Sequence, residues 1–178
     1  MTLLVWYLDR AAGLVAYPTL YLAALTGVLF NARQFPTARA VARGVHYELA
    51  ALAVVTMVIH GAVGLLDTWY VVDGQAPAPP FGVPYLVAGV AVGIGALFVL
   101  VVAVLGFVDP RRFERPWSPQ VVHAFAYLGF GFATVHVAAV GTDVVGLVRP
   151  LVVPSVGFLA LVLALRALTW GRGAAARS

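Results

Sequence analysis

Cysteine and lysine are both absent from this 178-residue sequence, and charged residues of any kind make up only 10% of it. Without cysteine the chain can form neither a disulfide, nor a thiolate metal site, nor a cysteine-ligated iron–sulfur cluster. The few acidic residues are scattered and no serine is placed with a base, so the sequence predicts no catalytic residues of a hydrolytic or nucleophilic kind. Histidine is the strong metal ligand that remains.

Hydrophobic residues are abundant, at 62% of the chain, and the mean hydropathy is +0.97. Several apolar stretches approach or exceed the roughly 20 residues that a helix needs to span a bilayer, and no alternating strand pattern repeats. We predict an all-α integral membrane bundle with membrane lipid as its surroundings, a single domain over residues 1–178 with about five transmembrane helices. The predicted spans are residues 11–30, 45–66, 85–108, 121–140 and 151–170, with Pro154 in the opening turn of the last.

Arginine supplies every basic residue other than histidine, and its distribution predicts the orientation of the chain. Arginines lie in the connections after spans one and three and in the C-terminal tail, whereas the connection after span two has two aspartates and no basic residue. These cytoplasmic candidates are Arg33, Arg39, Arg43, Arg111, Arg112, Arg115, Arg172 and Arg177. The positive-inside rule then predicts a multi-pass plasma-membrane protein with its N-terminus outside and its C-terminus in the cytoplasm. Because the arginines are dispersed between apolar spans, nucleic-acid binding is not expected.

The N-terminus does not have the pattern of a cleaved signal peptide. Asp9 and Arg10 follow the first short apolar run rather than precede it, and the apolar pattern of the first helix continues beyond them. We therefore expect this segment to be retained.

Four histidines form two pairs, and each pair lies within one predicted span. His46 and His60 are fourteen residues apart, so a helix separates them by about 21 Å and returns them to within about 40° of one face. His123 and His136 are thirteen residues apart, a rise of roughly 20 Å but a rotation of roughly 140° on an ideal helix. Because spans two and four are predicted to run in the same direction, His46 and His123 share the cytoplasmic level and His60 and His136 the outer level. The rotation requires a tilted or locally distorted fourth helix, or differently oriented cofactors.

Two imidazoles at each level suit a haem iron. The macrocycle supplies four equatorial nitrogens, and two facing helices can each fill one axial position with a histidine. Zinc would need four ligands at each site, and no carboxylate lies at helical spacing to complete the outer one. We predict two haems b, an inner one between His46 and His123 and an outer one between His60 and His136. A histidine–Met57 pair, or simple hydrogen-bonded packing of the imidazoles, is the alternative.

Two neighbours of the inner histidines are candidate haem contacts. Arg43 lies one turn before His46 and could face a haem propionate, although its role in topology also explains it. Tyr127 lies one turn after His123 and could pack against a haem, although ordinary core packing also explains it. Both positions follow from the spacing in the sequence.

Two segments of the chain resemble the ligand helices of the ferric reductase-like transmembrane family. The first is RGVHYELAALAVVTMVIHG, with a histidine near each end and a basic residue before it, and the second is WSPQVVHAFAYLGFGFATVHVAAVG. The family includes ferric reductases, NADPH oxidases and the haem-binding membrane subunit of the periplasmic methionine sulfoxide reductase system. The resemblance covers roughly residues 10–140 and includes one helix between the two ligand helices. Many relatives have six spans, and oxidase members add a flavin and nicotinamide domain, for which this sequence has no pattern.

The resemblance implies an electron-transfer subunit of an oxidoreductase. Electrons would pass across the bilayer from a cytoplasmic flavoprotein or a quinol to an exterior acceptor, each supplied by a separate partner. Two alternatives stay open. One is a quinol-oxidising cytochrome b subunit, which needs a quinone pocket near one haem, and the other is a haem-free transport or scaffold protein.

Overall fold

The structure is a computed structural model that describes residues 2–30, 36–78, 82–108, 119–141, 150, 152–161 and 164. Nearly all of these residues are helical and none of them forms a strand. The four long helices are α1 (Thr2–Phe30), α2 (Pro36–Val72), α3 (Val83–Val108) and α4 (Pro119–Val140). A shorter apolar helix, α5 (Val152–Leu161), follows them with Pro154 in its first turn. The predicted all-α helical bundle is confirmed.

All four long helices are long and apolar enough to cross a membrane. Helices suit a bilayer because they satisfy every backbone donor and acceptor within the segment. Buried residues make up only 6% to 28% of the most apolar stretch of each helix, so most of the apolar side chains point outward. These outward side chains are suited to contact membrane lipid.

Helices α1 and α2 both begin earlier than the sequence predicted. Helix α1 begins at Thr2, so Asp9 lies well inside it, and α2 begins at Pro36, so Arg39 and Arg43 are helical residues. The prediction that these two arginines lie in the connection was therefore wrong. Proline is favourable in the first turn of a helix and arginine is a good helix former, so nothing at these positions delays the start of α2.

Several residues used in the orientation argument lie outside the described part of the chain. They are Arg33, Arg111, Arg112, Arg115, Arg172 and Arg177. The predicted fifth span, residues 151–170, is described only at 152–161 and 164. The structure therefore supports the start of that span.

The bundle is built from two helical hairpins. Helix α1 packs most extensively on α2, and α3 packs on α4, while fewer contacts join one hairpin to the other. The core cluster is formed by Leu20, Val28, Ala53, Ala96, Leu100, Phe130, Ala133 and Leu159. Small residues let the helices of the second hairpin approach closely, because a β-carbon at Gly89 would meet Val140 and one at Gly129 would meet Leu100. Gly89 and Gly129 are therefore positions of close helix contact.

Candidate functional site

The structure brings the four histidines together as two pairs between α2 and α4. In the inner pair, the ring centroids of His46 and His123 lie 6.4 Å apart and the ring planes differ by 13°. In the outer pair, the centroids of His60 and His136 lie 5.9 Å apart and the planes differ by 67°. Both pairs form because α2 and α4 run in the same direction, which places histidines with nearly equal spacing at matching heights.

The separation within each pair suits one metal ion between two imidazoles. A metal–imidazole bond of about 2.0 Å on each side, added to the distance from nitrogen to ring centre, places the two centroids roughly 6 Å apart. Among the described residues, no three side chains of histidine, cysteine, aspartate or glutamate cluster as a metal site. Each pair therefore offers two protein ligands, which is the number that an axially ligated haem takes from the protein.

Three of the four imidazoles are oriented by the same kind of hydrogen bond. Nδ1 donates to the backbone carbonyl of a neighbouring helix, in the pairs His46 to Ala23 (2.8 Å), His60 to Asp9 (3.0 Å) and His136 to Gly89 (2.8 Å). A carbonyl only accepts, so the hydrogen of a neutral ring lies on Nδ1 and the lone pair on Nε2. None of these three Nε2 atoms makes a protein hydrogen bond within the described part of the chain. This is the arrangement of a metal-ligating histidine, whose other nitrogen is held by a backbone carbonyl.

A glycine four residues after each acceptor makes room for the ring. The acceptor and glycine pairs are Ala23 with Gly27, Asp9 with Gly13, and Gly89 with Gly93. A β-carbon at Gly27 would lie 2.9 Å from Cε1 of His46, and one at Gly13 would lie 3.1 Å from Cε1 of His60. At Gly93 it would lie 2.8 Å from Nδ1 of His136. We refer to Gly13, Gly27 and Gly93 as the glycine cradles, because each accommodates one imidazole against the backbone of the neighbouring helix.

Asp9 gives His60 a charged neighbour inside the bundle. Its Oδ1 lies 2.9 Å from Nδ1 of His60, and Gly64 leaves space for it, since a β-carbon there would lie 2.8 Å from the same oxygen. The N–H of His60 is directed at the backbone carbonyl of Asp9, so this buried oxygen has no hydrogen-bond partner among the described residues. A buried carboxylate oxygen is costly unless positive charge lies close to it, and a cation bound by His60 would supply that charge. The orphaned oxygen thus fits a metal at the outer pair.

The space between the two pairs is filled by aromatic packing. Phe130 lies on α4 between the two histidines of that helix, and its ring is 6.0 Å from that of Tyr17 and 6.5 Å from that of Tyr21. The Tyr17 hydroxyl is 3.1 Å from Oγ1 of Thr134, which joins α1 to α4. The two pairs are therefore held apart by a packed layer of the core.

The other candidates from the sequence lie near the inner pair or in the core. Arg43 is exposed on α2, three residues before His46. Tyr127 is partly buried on α4, four residues after His123. Met57 packs against the core cluster, in keeping with a packing role rather than that of a ligand.

Sequence reasoning missed Asp9 and the glycine cradles of α1. Asp9 was counted among the scattered acidic residues, whereas the structure places its Oδ1 2.9 Å from Nδ1 of His60. Two features of the sequence could have indicated these residues. An aspartate in an apolar helix is costly without a partner, and Gly13 and Gly27 have the same fourteen-residue spacing as His46 and His60.

The fold and the site define an all-α membrane bundle with two histidine pairs held between parallel helices. The chain belongs to the family described as "Domain of unknown function (DUF8596)", whose model matches residues 4–143. That match includes both histidine pairs, the glycine cradles and Asp9. No curated protein matches the chain, and no solved structure matches it.

Proposed function

We propose that this protein is a dihaem b-type cytochrome that passes electrons across the membrane as a subunit of an oxidoreductase. The observation that carries the proposal is the geometry of the two histidine pairs, with ring centroids 6.4 Å and 5.9 Å apart. Backbone carbonyls hold three of the rings with Nε2 available as a ligand, which ordinary hydrogen-bonded packing of a membrane histidine does not require.

The residues of the chain place two sites at two depths. His46 and His123 hold the inner site, and His60 and His136 hold the outer site. Helical rise separates the two levels by about 20 Å, which is a large part of a hydrocarbon core about 30 Å thick. Each haem, when bound, supplies a one-electron couple between ferric and ferrous iron. The two levels thus suit exchange of electrons with partners on opposite faces of the membrane.

The resemblance to ferric reductase-like membrane proteins supports the choice of partners. The donor is a cytoplasmic flavoprotein or a quinol, and the acceptor is a separate exterior redox protein, metal ion or oxygen. Exposed Arg39 and Arg43, near the start of α2, suit the cytoplasmic face, and exposed Asp73 beyond its end suits the exterior. The protein then lies in the plasma membrane with its N-terminus outside.

This orientation is open to labelling, because the chain has no cysteine of its own. Thr37 and Gln75 are exposed near opposite ends of α2. A membrane-impermeant maleimide added to intact cells should label Gln75→Cys, and it should label Thr37→Cys only after lysis. Labelling of Thr37→Cys in intact cells, with Gln75→Cys labelled only after lysis, would show that the orientation is the opposite one.

The experiment that tests the function is a dithionite-reduced minus oxidised absorption spectrum of the detergent-purified protein, with pyridine-extracted haem counted per chain. We expect a b-type spectrum and two haems per chain. A folded protein that stays colourless after expression with ample haem would contradict the proposal and favour a haem-free transport or scaffold role.

A further inference from the structure

We propose that Asp9 is a positioning residue for the outer site, where its backbone carbonyl orients His60 and its carboxylate lowers the reduction potential of the haem bound there. This inference rests on the proposed function and adds an assignment within it. It distinguishes the outer site from the inner one by a charged side chain that comes from α1, a helix that supplies no ligand.

His60 is contacted by two oxygen atoms of Asp9. Its Nδ1 lies 3.0 Å from the backbone carbonyl of Asp9 and 2.9 Å from Oδ1 of the same residue. One aspartate therefore presents two oxygens to the nitrogen opposite Nε2. The other two histidines with described Nδ1 bonds, His46 and His136, donate to the carbonyls of Ala23 and Gly89, and those residues have no charged side chain.

The carboxylate of Asp9 is held in place by the packing of α1 on α2. The side chain of Asp9 is 21% exposed and that of His60 is 27% exposed, while Oδ1 itself is buried. Oδ1 is seated against Gly64, where any larger residue would push it away from His60. The carboxylate is thus placed by packing from α2, and its Oδ1 accepts no hydrogen bond from the described residues.

The negative charge of Asp9 should stabilise the ferric state of a haem bound by His60. The carboxylate lies beside Nδ1, the imidazole nitrogen that does not bind the metal. A carboxylate in that position makes the imidazole a more basic ligand. Its negative charge also acts over a short distance in a medium of low dielectric constant, where charge interactions are strong. Both effects favour the ferric over the ferrous state. Replacing Asp9 by a neutral residue should therefore make the outer haem easier to reduce.

The test is a redox titration of the purified dihaem protein, wild type against Asp9→Asn, followed by optical and EPR spectra. Asparagine keeps the size and the backbone carbonyl of residue 9 and removes the charge. We expect both haems to be retained, the inner potential to be unchanged, and the outer potential to rise by about 59 mV or more, which is tenfold in a one-electron equilibrium. The haem that shifts is identified as outer because His60→Ala removes it.

Asp73→Asn is the matched control, since Asp73 is exposed beyond the end of α2 and its removal is the same change of charge. It should leave both potentials unchanged. If Asp9→Asn fails to hold the outer haem, Asp9→Glu should restore both the haem and its potential, because glutamate restores the charge. Two retained haems with an unshifted outer potential in Asp9→Asn, or no recovery in Asp9→Glu, would overturn the inference. A wild-type protein without haem would instead overturn the proposed function.

Discussion

The two nitrogens of each imidazole have different roles at these candidate sites. In His46, His60 and His136 the Nδ1 atom is committed to a backbone carbonyl of a neighbouring helix, which fixes both the tautomer and the ring direction. The opposite nitrogen, Nε2, is then the one with a lone pair for a metal. A ring held in this way loses little further freedom when it binds a metal, which is the advantage of a site whose ligands are fixed by a supporting shell.

Removing either histidine of the outer pair should have the same effect on cofactor content. We expect His60→Ala and His136→Ala each to reduce the haem content from two per chain to one, because an axial site of this kind needs both imidazoles. The pyridine haemochrome assay measures the count, and the reduced spectrum should keep the inner haem in both variants.

Thr56→Ala is the matched control for these variants. Thr56 lies one turn before His60, and its hydroxyl is within hydrogen-bond distance of two carbonyls of its own helix, those of Leu52 and Ala53. This variant should keep two haems. Retention of both haems in His60→Ala would contradict the assigned pairing, and loss of both in a variant that still elutes as a folded monodisperse species would contradict the independence of the two sites.

At the residue scale the sequence could predict the histidine pairs but not their surroundings. Histidine spacing and helix geometry were sufficient to pair His46 with His123 and His60 with His136 at matching depths. The contact of Asp9 with His60 depends on how far α1 extends and on its rotation about its own axis. Neither property follows from the composition of an apolar helix, whose outward and inward faces are both hydrophobic.

The first hairpin is organised by a single repeated spacing. On α2 the histidines are fourteen residues apart, and on α1 both the acceptors Asp9 and Ala23 and the cradles Gly13 and Gly27 have the same separation. Because α1 and α2 are antiparallel, equal spacings let one helix meet the other with the same contact at both levels. The glycines belong to the sites as much as the imidazoles do.

The glycine cradles lead to a prediction for α3. Gly93→Ala would place a β-carbon 2.8 Å from Nδ1 of His136, so the ring must move and its bond to the carbonyl of Gly89 is disturbed. We expect the outer haem to be lost or only partly retained, with a loss of about 1–3 kcal/mol in stability from overpacking. Haem stoichiometry and thermal unfolding measure the two effects.

Gly95→Ala is the control for this prediction, two residues along the same helix. A β-carbon at Gly95 meets nothing within 4 Å, and alanine favours a helix over glycine by roughly 0.5–1 kcal/mol. It should keep both haems and lose no stability. Equal behaviour of the two variants would show that the close contact at Gly93 does not position His136.

At the scale of elements the sequence predicted all four long helices, because runs of apolar residues are a direct requirement of the bilayer. It also predicted a fifth span, of which the structure describes residues 152–161 and 164. It placed the beginnings of α1 and α2 nine residues late, at 11 and 45 instead of Thr2 and Pro36. Hydropathy marks the part of a helix that lies in hydrocarbon, whereas the helix itself continues through polar residues such as Arg39 and Arg43. Boundaries of this kind need capping geometry, which hydropathy does not contain.

Across the whole molecule, each hairpin supplies one histidine to each pair, and the two helices of a hairpin have different roles. Helices α2 and α4 carry the histidines, and α1 and α3 carry the carbonyls and glycine cradles that orient three of the four rings. A packed aromatic layer, with Phe130 between Tyr17 and Tyr21, separates the inner pair from the outer pair. This division of roles places two candidate sites in one core, one after the other along the direction of the four long helices.

A chain with this arrangement should conduct electrons between two compartments. Purified protein is reconstituted in lipid vesicles that contain ferricyanide, dithionite is added outside, and an ionophore dissipates the charge that electron flow would build up. We expect ferricyanide to be reduced faster than in protein-free vesicles, because the two levels, about 20 Å apart along the helices, span most of the hydrocarbon. In vesicles with His60→Ala the rate of ferricyanide reduction should fall toward that of protein-free vesicles, because the outer haem is missing. In vesicles with Thr56→Ala the rate should match that of the wild type. If vesicles with both haems intact conduct no faster than empty ones, the protein binds haem without carrying electrons across the membrane.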